Sequence, residues 1–405
     1  MKYEKNKVIN CVDVNDLLYK SVDMVMECGT NITVRGAGTK EVLFPHFVIT
    51  SPEARTLLYP QRGNNPFSTL FETIWVLASK SNDIEILSKF LPRAKDYSDD
   101  GKTWRAGYPE RIKAFGTKKI NQLDYVYEKL KADPNTRQAI ISLWSPEEDC
   151  FDENGKLKES RDFPCSNHLQ FLIRGGKLHC SFYIRSNDAI FGLSSINFYE
   201  FTVIQEILAT SLGVELGDFH YNVGSLQVYD WHKEKAEKIL KYVPAKQVYK
   251  PTLNNPYKIS LSGIENKINQ HTTSPLIINT QRFAEEGTSY RTLMSYYNYV
   301  FYYINRTVDD NEKGASLPFN QQLKLIKMYA IHLDLPEYMT DMIKILVMYL
   351  YYIDDKTSFD EILQQMKKMK RTDLLFSCLY WYMKKEKLIK PDAYDLTEVF
   401  RIIGV

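Results

Sequence analysis

The sequence lacks most of the features that would direct a chain to a membrane, a metal ion or a polyanion. Its 52 Lys and Arg residues nearly balance 50 Asp and Glu residues, so the net charge of +2 gives no overall attraction for nucleic acid. The first residues are polar rather than signal-like, and no apolar run reaches the length of a membrane span. The six cysteines are scattered without a Cys-x-x-Cys pair, which argues against a structural zinc site. We therefore expect no metal, no membrane association and no direct nucleic-acid binding.

What the chain does contain is ample apolar material for a large core, 44% of its 405 residues. Helical spacing predicts helices over 13–28, 65–80, 119–132 and 195–212. Segments rich in β-branched and aromatic residues predict strands at 138–144, 168–174, 177–186 and 219–229, and a strand at 30–35 leads into a turn at 36–38. Because these elements do not alternate regularly, the pattern indicates an α+β fold.

A change of composition near residue 250 divides the chain into three parts. Residues 1–250 are predicted to form one domain, and the Asn-, Pro-, Thr- and Ser-rich stretch 251–275 is predicted to be a linker or surface excursion. Residues 276–405 are predicted to be a mostly helical extension of unknown role. Its helical runs lie near 289–305, 319–333, 336–353, 357–370, 372–386 and 393–403.

The most informative motif is FPC at 163–165, followed by RSND at 185–188 and by Asn197. A cysteine sulfur can attack an electron-poor ring, arginine and serine can hold a phosphate, and an asparagine amide can both donate to and accept from a base edge. Each residue has a more ordinary explanation when taken alone. A cysteine is usually a small buried residue, a strand arginine is usually solvated, and Asn197 could cap the helix that follows it.

Six motifs, in order, resemble the thymidylate synthase family, which includes the deoxypyrimidine-monophosphate hydroxymethylases. They are the segment 137–144, FPCSNHLQF, GKLHCSFYIRSND, GLSSIN, GDFHYNVGS and QVYDWH, within roughly residues 30–232. The resemblance implies a mixed β-sheet with flanking helices. It also implies dUMP and 5,10-methylenetetrahydrofolate as ligands, a homodimer, and a cytoplasmic location (the host cytoplasm if the source is viral).

The resemblance also implies roles for individual residues. Cys165 would add to C6 of the pyrimidine, with nearby cations favouring its thiolate. Asn197 would pair with the O4 and N3–H edge of uracil, and Arg137 would cross to the partner subunit's phosphate. The implied catalytic residues are Cys165, Glu72, Tyr108, Asn197 and Asp188. The implied substrate contacts are Arg35, Arg137, Gln170, Arg185, Ser186, Asn197, Gln227 and Tyr229, and the implied cofactor contacts are Asp188, Glu72, Gly192 and Trp104.

The chain departs from the family pattern in its polar residues and in one spacing. The departures in residue type are Gln138, Ser166, Ile184 and Gln227. The interval from Gly192 to Asn197 is one residue longer than in an ordinary synthase, which bears on whether Asn197 is the residue that reads the base.

These departures favour one of two outcomes of a shared reaction. Hydride transfer to an exocyclic methylene gives dTMP and benefits from a dry site, whereas water addition gives 5-hydroxymethyl-dUMP. The synthase segment that closes over folate has no counterpart after His232. We therefore predict a hydroxymethyltransferase acting on dUMP. A divergent thymidylate synthase and a non-catalytic nucleotide-binding or scaffold protein are the alternatives.

Overall fold

The computed structural model describes residues 8–241, 289–369 and 373–389. The predicted linker at 251–275 and the predicted helical run at 393–403 lie outside these residues. The described strands are β1 (Val8–Cys11), β2 (Thr30–Val34), β3 (Ala37–Leu43), β4 (His46–Ile49), β5 (Ile140–Ser142), β6 (Ser166–Arg174), β7 (Lys177–Asp188) and β8 (Glu215–Tyr229).

Helices follow the strands in an irregular order. Those before residue 242 are α1 (Val14–Cys28), α2 (Pro66–Ala78), α3 (Leu87–Phe90), α4 (Tyr108–Lys113), α5 (Gln122–Ala132), α6 (Pro146–Asp149), α7 (Asn197–Leu212) and α8 (Lys233–Lys241). Those after residue 288 are α9 (Tyr290–Glu312), α10 (Phe319–His332), α11 (Glu337–Ile353), α12 (Phe359–Met366) and α13 (Asp373–Lys385). A π-helix at Ala189–Ile196 leads directly into α7.

The strands form one mixed sheet with β8 near its centre. The strand order is β1-β4-β8-β7-β6-β5. The β2–β3 hairpin joins this sheet because β3 pairs with the carboxy-terminal end of β8. The β1–β4 and β7–β8 pairs are parallel and the others antiparallel. In the parallel β7–β8 pair, Ser186 lies opposite Ser225 and Asp188 opposite Gln227. This register brings the RSND and QVY motifs to the same end of the sheet and confirms the predicted α+β fold.

Helix α7 supplies much of the core beneath the sheet. All thirteen positions from Phe198 to Thr210 are buried, and α7 packs against β7, β8 and α2. The helix ends at Gly213, whose φ of 67° lies in the left-handed region that glycine adopts without strain. Helix α1 packs against β8 and the π-helix, so the site-bearing segments are held between helices and sheet.

The helices after residue 288 pack directly on α2. Twelve of the thirteen α2 residues are buried, because α9, α11 and α13 cover the part of α2 that faces away from the sheet. The Phe67 ring stacks on Tyr349 at 4.5 Å and meets the edge of Tyr382 at 5.2 Å. Helix α2 is therefore enclosed between α7 and the carboxy-terminal helices, as its apolar sequence on every side requires.

Most predicted elements are present, with differences at their ends. Helix α9 continues to Glu312 rather than stopping near 305, and β8 begins at Glu215 rather than 219. The predicted turn at 36–38 is wrong in extent: Arg35 and Gly36 make the turn, and Ala37 already pairs with Val34 in the hairpin. Among residues 8–241, 289–369 and 373–389, no helix combines the length and the apolar character that a membrane crossing requires.

Candidate active site

Cys165 lies immediately before β6, half-buried against the core. Its carbonyl accepts the Arg185 N–H at 2.9 Å, which ties it to the neighbouring strand β7. The Arg185 guanidinium turns back to this point: Nε donates to the Pro164 carbonyl at 2.9 Å, and Nη2 lies 3.7 Å from Cys165 Sγ. Two motifs twenty residues apart in sequence are therefore joined at the sulfur.

At Cys165 the predicted effect of nearby cations on the thiol pKa is opposed by the effect of burial. Burial raises the pKa of the Cys165 thiol above its ordinary value, and the positive charges of Arg185 and Arg35 only partly offset this effect. Asp162 raises the thiol pKa further. The two guanidinium groups act in the predicted direction, but desolvation outweighs them, so the sulfur must lose a proton before it can act as a nucleophile.

Tyr108 and Ser166 form a hydrogen-bonded pair beside the cysteine. The Tyr108 hydroxyl donates to Ser166 Oγ at 2.9 Å and accepts the Ser166 N–H at 3.2 Å. Burial raises the pKa of Tyr108, and the charges of Cys165 and Glu200 add to this, so Tyr108 lies within electrostatic range of both. The serine that replaces the family's histidine is therefore engaged with the tyrosine that borders Cys165.

Ser186 and Gln227 meet across the parallel β7–β8 pair. The Gln227 amide nitrogen donates to the Ser225 carbonyl at 2.8 Å, and its oxygen accepts from Ser186 Oγ at 3.1 Å, an orientation assigned from these bonds. Tyr229, two residues further along β8, also forms a hydrogen bond with Gln227. Three of the predicted substrate contacts thus form one polar group beside Arg185.

Glu72 and Glu200 place two carboxyl groups inside the protein near this site. Glu72 lies on α2 and Glu200 on α7, with side chains 6% and 1% exposed. Burial raises the pKa of Glu72 to about 8. Burial also raises the pKa of Glu200, and the Glu72 charge adds to that shift. Both carboxyl groups therefore resist ionisation, and Glu72 can hold and release a proton near neutral pH.

Asn197 is the first residue of α7, and it does not cap the helix. The N-cap position belongs to Ile196, which makes no side-chain cap bond, while Asn197 Nδ2 donates to Glu200 Oε1 at 3.4 Å. The preceding π-helix has more residues per turn than an α-helix, so it accommodates the additional residue between Gly192 and Asn197. The interval with the additional residue therefore lies within the π-helix, and the role of Asn197 as base reader stays a prediction.

Asp188 caps the π-helix. Its Oδ1 accepts the Ile190 and Phe191 N–H groups at 2.7 and 2.8 Å, and its Oδ2 lies 3.6 Å from His232 Nδ1. At Gly192, a Cβ would stand 1.9 Å from Asn187 Oδ1, so any larger residue would require the Asn187 side chain to move. Asp188 and Gly192 therefore lie together, and the second oxygen of Asp188 faces His232.

Three predicted residues lie at other places on this surface. Trp104 donates through Nε1 to the Ala94 carbonyl at 2.8 Å and meets the edge of Trp75 on α2. Gln170 donates to the Arg137 carbonyl at 2.9 Å, which places this pair at the β5–β6 edge. Arg137 itself is exposed. The structure therefore brings Gln170 to Arg137 rather than to Cys165.

A family model for thymidylate synthase matches residues 19–273. The chain belongs to the thymidylate synthase family. Its sequence is similar to the deoxyuridylate hydroxymethyltransferase of Bacillus phage SP01, with 36% identity over 213 residues, 51% of this chain and 54% of the relative. The enzyme of the same name from Delftia phage PhiW-14 is 30% identical over 62% of this chain and 69% of its own length. A thymidylate synthase of Bacillus atrophaeus is 31% identical over 40% of this chain and 69% of its own length.

In this thymidylate synthase family member, sequence reasoning missed Glu200 and Arg62. Glu200 follows Asn197 by three residues, a spacing that places both on one face of a helix and could have signalled the pair. The buried Arg62 guanidinium donates to the Ile190 and Phe191 carbonyls at 3.0 and 3.3 Å. Arg62 thereby holds the π-helix, a role for which the sequence carries no signal.

The described residues also include a group that could hold a metal ion. The potential ligand atoms of His179, Asp218 and His220, on β7 and β8, lie within 4.8 Å of one another. The Asp218 N–H donates to His179 Nδ1 at 3.1 Å, and His220 Nδ1 lies 3.2 Å from His46 Nε2, so these nitrogens already have protein partners. The absence of a metal requirement stays a prediction.

Proposed function

We propose that this protein is a folate-dependent hydroxymethyltransferase that converts dUMP to 5-hydroxymethyl-dUMP. The observation that carries the proposal is the meeting of Cys165, Arg185 and the Tyr108–Ser166 pair at one place. The phage SP01 and PhiW-14 relatives are deoxyuridylate hydroxymethyltransferases, which supports the same activity. The parts of those relatives that match amount to 54% and 69% of their lengths, so the assignment to this chain rests on the site as well.

The proposed reaction begins with the sulfur of Cys165. The thiol loses its proton and forms an S–C6 bond, which turns C5 of the ring into a carbon nucleophile. When bound, 5,10-methylenetetrahydrofolate supplies the one-carbon unit and departs as tetrahydrofolate. Loss of the C5 proton, addition of water to the exocyclic methylene and release of the cysteine complete the sequence. Overall, dUMP, methylenetetrahydrofolate and water give 5-hydroxymethyl-dUMP and tetrahydrofolate.

The protein's own residues divide the remaining work. Arg35 and Arg185 offer guanidinium groups, and Ser186 a hydroxyl, for the phosphate. Gln227 and Tyr229 lie next to them and suit the sugar hydroxyl. Glu72 is the proposed proton carrier, because a carboxyl with a pKa near 8 can both give and take a proton near neutral pH.

The polar residues around Cys165 favour water addition over hydride transfer. Ser166, Tyr108 and two buried carboxyls give a polar lining, whereas hydride transfer benefits from a dry one. Thymidylate synthase activity, which yields dTMP and dihydrofolate, is the second candidate, and the Bacillus atrophaeus relative favours it.

Product analysis separates these functions. After incubation with dUMP and methylenetetrahydrofolate, mass spectrometry should find 5-hydroxymethyl-dUMP, with no near-ultraviolet rise from dihydrofolate. Formation of dTMP with that rise would replace the proposal with synthase activity. A covalent adduct of the wild type with 5-fluoro-dUMP, and none with Cys165→Ser, is expected in either case; no adduct with the wild type would favour a non-catalytic nucleotide-binding or scaffold role.

We also propose a homodimer in which Arg137 reaches the partner subunit's phosphate. The exposure of Arg137 in the single chain supports this arrangement. The phage relatives support the host cytoplasm as the place of action. Sedimentation should give a dimer, and Arg137→Ala should raise the KM for dUMP more than it lowers kcat. A fully active monomer would contradict the dimer.

The division into a catalytic region at 1–250 and a helical extension at 276–405 is likewise a proposal. Its support is the packing of α9, α11 and α13 against α2, the helix that carries Glu72. In this arrangement the extension packs against α2 and stabilises the position of the helix that carries Glu72.

A further inference from the structure

Glu200 is a buried carboxyl group for which the reaction above has no task. It lies one helical turn after Asn197 on α7, and its Oε1 accepts from Asn197 Nδ2 at 3.4 Å. Its other oxygen, Oε2, has no hydrogen-bond partner among residues 8–241, 289–369 and 373–389, and the same is true of Glu72 Oε2. An uncompensated carboxyl at 1% exposure is costly, so its presence calls for a reason other than stability.

The contact with Glu200 determines which way the Asn197 amide faces. The nitrogen of Asn197 points to Glu200, and its oxygen lies on the side of Gly192, 3.4 Å from where a Cβ of that residue would stand. An asparagine amide can rotate by half a turn and exchange its donor and acceptor, and the two orientations differ little in shape. A fixed acceptor beside one end of the amide removes this freedom.

The two orientations recognise different bases. Uracil presents an N3–H donor and an O4 acceptor, whereas cytosine presents an N3 acceptor and an amino donor. An amide held in one orientation can pair with one of these edges and leaves buried groups unpaired against the other. If nothing held the amide, it could rotate to serve either base.

We propose that Glu200 is a positioning residue that fixes the orientation of the Asn197 amide and thereby makes the site select uracil over cytosine. This inference rests on the proposed function, in which Asn197 meets the base. In this inference Glu200 determines base specificity through Asn197, without contacting the base itself.

The adjacent Glu72 carboxyl makes Glu200 a suitable acceptor. Burial raises the pKa of both groups, and the Glu72 charge raises that of Glu200 further, so the pair retains a proton near neutral pH. The contact from Asn197 uses Glu200 Oε1 as its acceptor, so a proton retained by Glu200 belongs on Oε2. The oxygen that faces Asn197 then has no proton to offer to a rotated amide.

Glu200→Gln tests this inference, with Glu206→Gln as a matched control. Glutamine has nearly the same shape but can present either nitrogen or oxygen to Asn197, so it permits both orientations. Glu206 is on the same helix and equally buried, but it pairs with Arg55. The measurement is the rate of covalent adduct formation with 5-fluoro-dUMP and with 5-fluoro-dCMP, both with methylenetetrahydrofolate present.

We expect Glu200→Gln to reduce the preference for the uracil nucleotide about three- to tenfold, the effect of one orienting hydrogen bond. Glu206→Gln should leave the preference at the wild-type value, because a defect that is only structural lowers both rates together. Glu200→Met, which offers no strong acceptor, should show the same reduced preference for the uracil nucleotide. It provides a second test if the glutamine variant does not fold.

The outcomes distinguish this inference from the function on which it rests. A wild type that prefers the cytosine nucleotide, or forms no adduct, would remove the proposed function. A wild type that prefers the uracil nucleotide, together with unchanged preference in both Glu200 variants, would overturn the role of Glu200 alone.

Discussion

Two buried glutamates on α7 differ in what surrounds them. Glu206 forms an ion pair with Arg55, whose guanidinium also donates to Thr202, whereas Glu200 has an amide contact from Asn197 and a second carboxyl nearby. Their side chains are 2% and 1% exposed, so burial does not distinguish them. We conclude that Glu206, whose charge is compensated by a cation, stabilises the fold. Glu200, which has no cation partner, is better explained by a role in the candidate site.

The two ends of α7 differ in the same way, one contacting the carboxy-terminal helices and the other lying near the candidate site. Arg55 lies near Tyr297 of α9, Tyr338 of α11 and Asp373 of α13, so the Glu206 end belongs to the junction with the carboxy-terminal helices. The Glu200 end is close to Tyr108, which borders Cys165. One helix therefore connects the junction to the site.

Removal of Arg55 should give the largest effect on stability. Arg55→Leu would leave the Glu206 carboxylate buried without its cation, and we expect a loss of about 3–5 kcal/mol in the free energy of unfolding. Urea denaturation measures it. The double variant Arg55→Leu/Glu206→Leu should recover much of the loss, because it removes both charges. A single variant within about 1 kcal/mol of the wild type would contradict the structural role of this pair.

The pH dependence of stability should reveal Asp373 at the same junction. Burial raises its pKa to about 7, despite hydrogen bonds from Thr56 and from the Leu374 N–H. The carboxyl is then protonated in the folded chain and ionised in the unfolded chain between about pH 4 and pH 7, so its stabilising contribution is lost as the pH rises through this window.

The test is Asp373→Asn, measured by thermal or urea unfolding at several pH values. Each retained proton contributes at most about 1.4 kcal/mol per pH unit. The stability of the variant relative to the wild type should therefore rise from pH 5 to pH 7. A constant difference over this range would show that Asp373 ionises normally in the folded protein.

A change of the base reader should alter specificity more than stability. Asn197→Asp places an ionised acceptor where the amide donated, which disfavours the O4 oxygen of uracil and favours the amino group of cytosine. We expect the preference for dUMP over dCMP to fall at least about tenfold in a competition assay with both nucleotides. An unchanged ratio would mean that another side chain reads the base.

The two glutamates should respond to glutamine with opposite signs. Glu200→Gln removes a carboxyl that has no cation partner and should be neutral or stabilising by about 1 kcal/mol. Glu206→Gln weakens the pair with Arg55 and should be destabilising. Urea unfolding of both variants at pH 8, where a carboxyl is most strongly driven to ionise, gives the comparison. Equal losses in the free energy of unfolding of the two variants would contradict the different roles assigned to Glu200 and Glu206.

The order of elements could be predicted from the sequence because apolar periodicity and turn residues act locally. Predicted helices at 319–333 and 336–353 match α10 and α11 within one residue at each end. The packing of α9, α11 and α13 on α2 could not be predicted, since contacts between residues separated by more than 200 positions leave no local pattern.

The site could be predicted where a motif carries the chemistry. The neighbourhood of Cys165 and Arg185 followed from two segments, but the net direction of the cysteine pKa did not, because desolvation depends on the whole surrounding fold. Glu200 was missed for the same reason: its spacing from Asn197 is visible in the sequence, whereas its burial beside Glu72 is a property of the packed helices.

The cover that α9, α11 and α13 place over α2 has a consequence for synthesis. Helix α2 leaves the ribosome roughly 200 residues before the first of these helices, which at about 5–20 residues per second means a delay on the order of 10–40 s. During that interval Phe67 has not met Tyr349 or Tyr382, and the nascent chain displays an aromatic surface. A chaperone that binds apolar segments would find its target in the emerging amino-terminal half, and α2 would be fully covered only after the chain had been synthesised as far as α13.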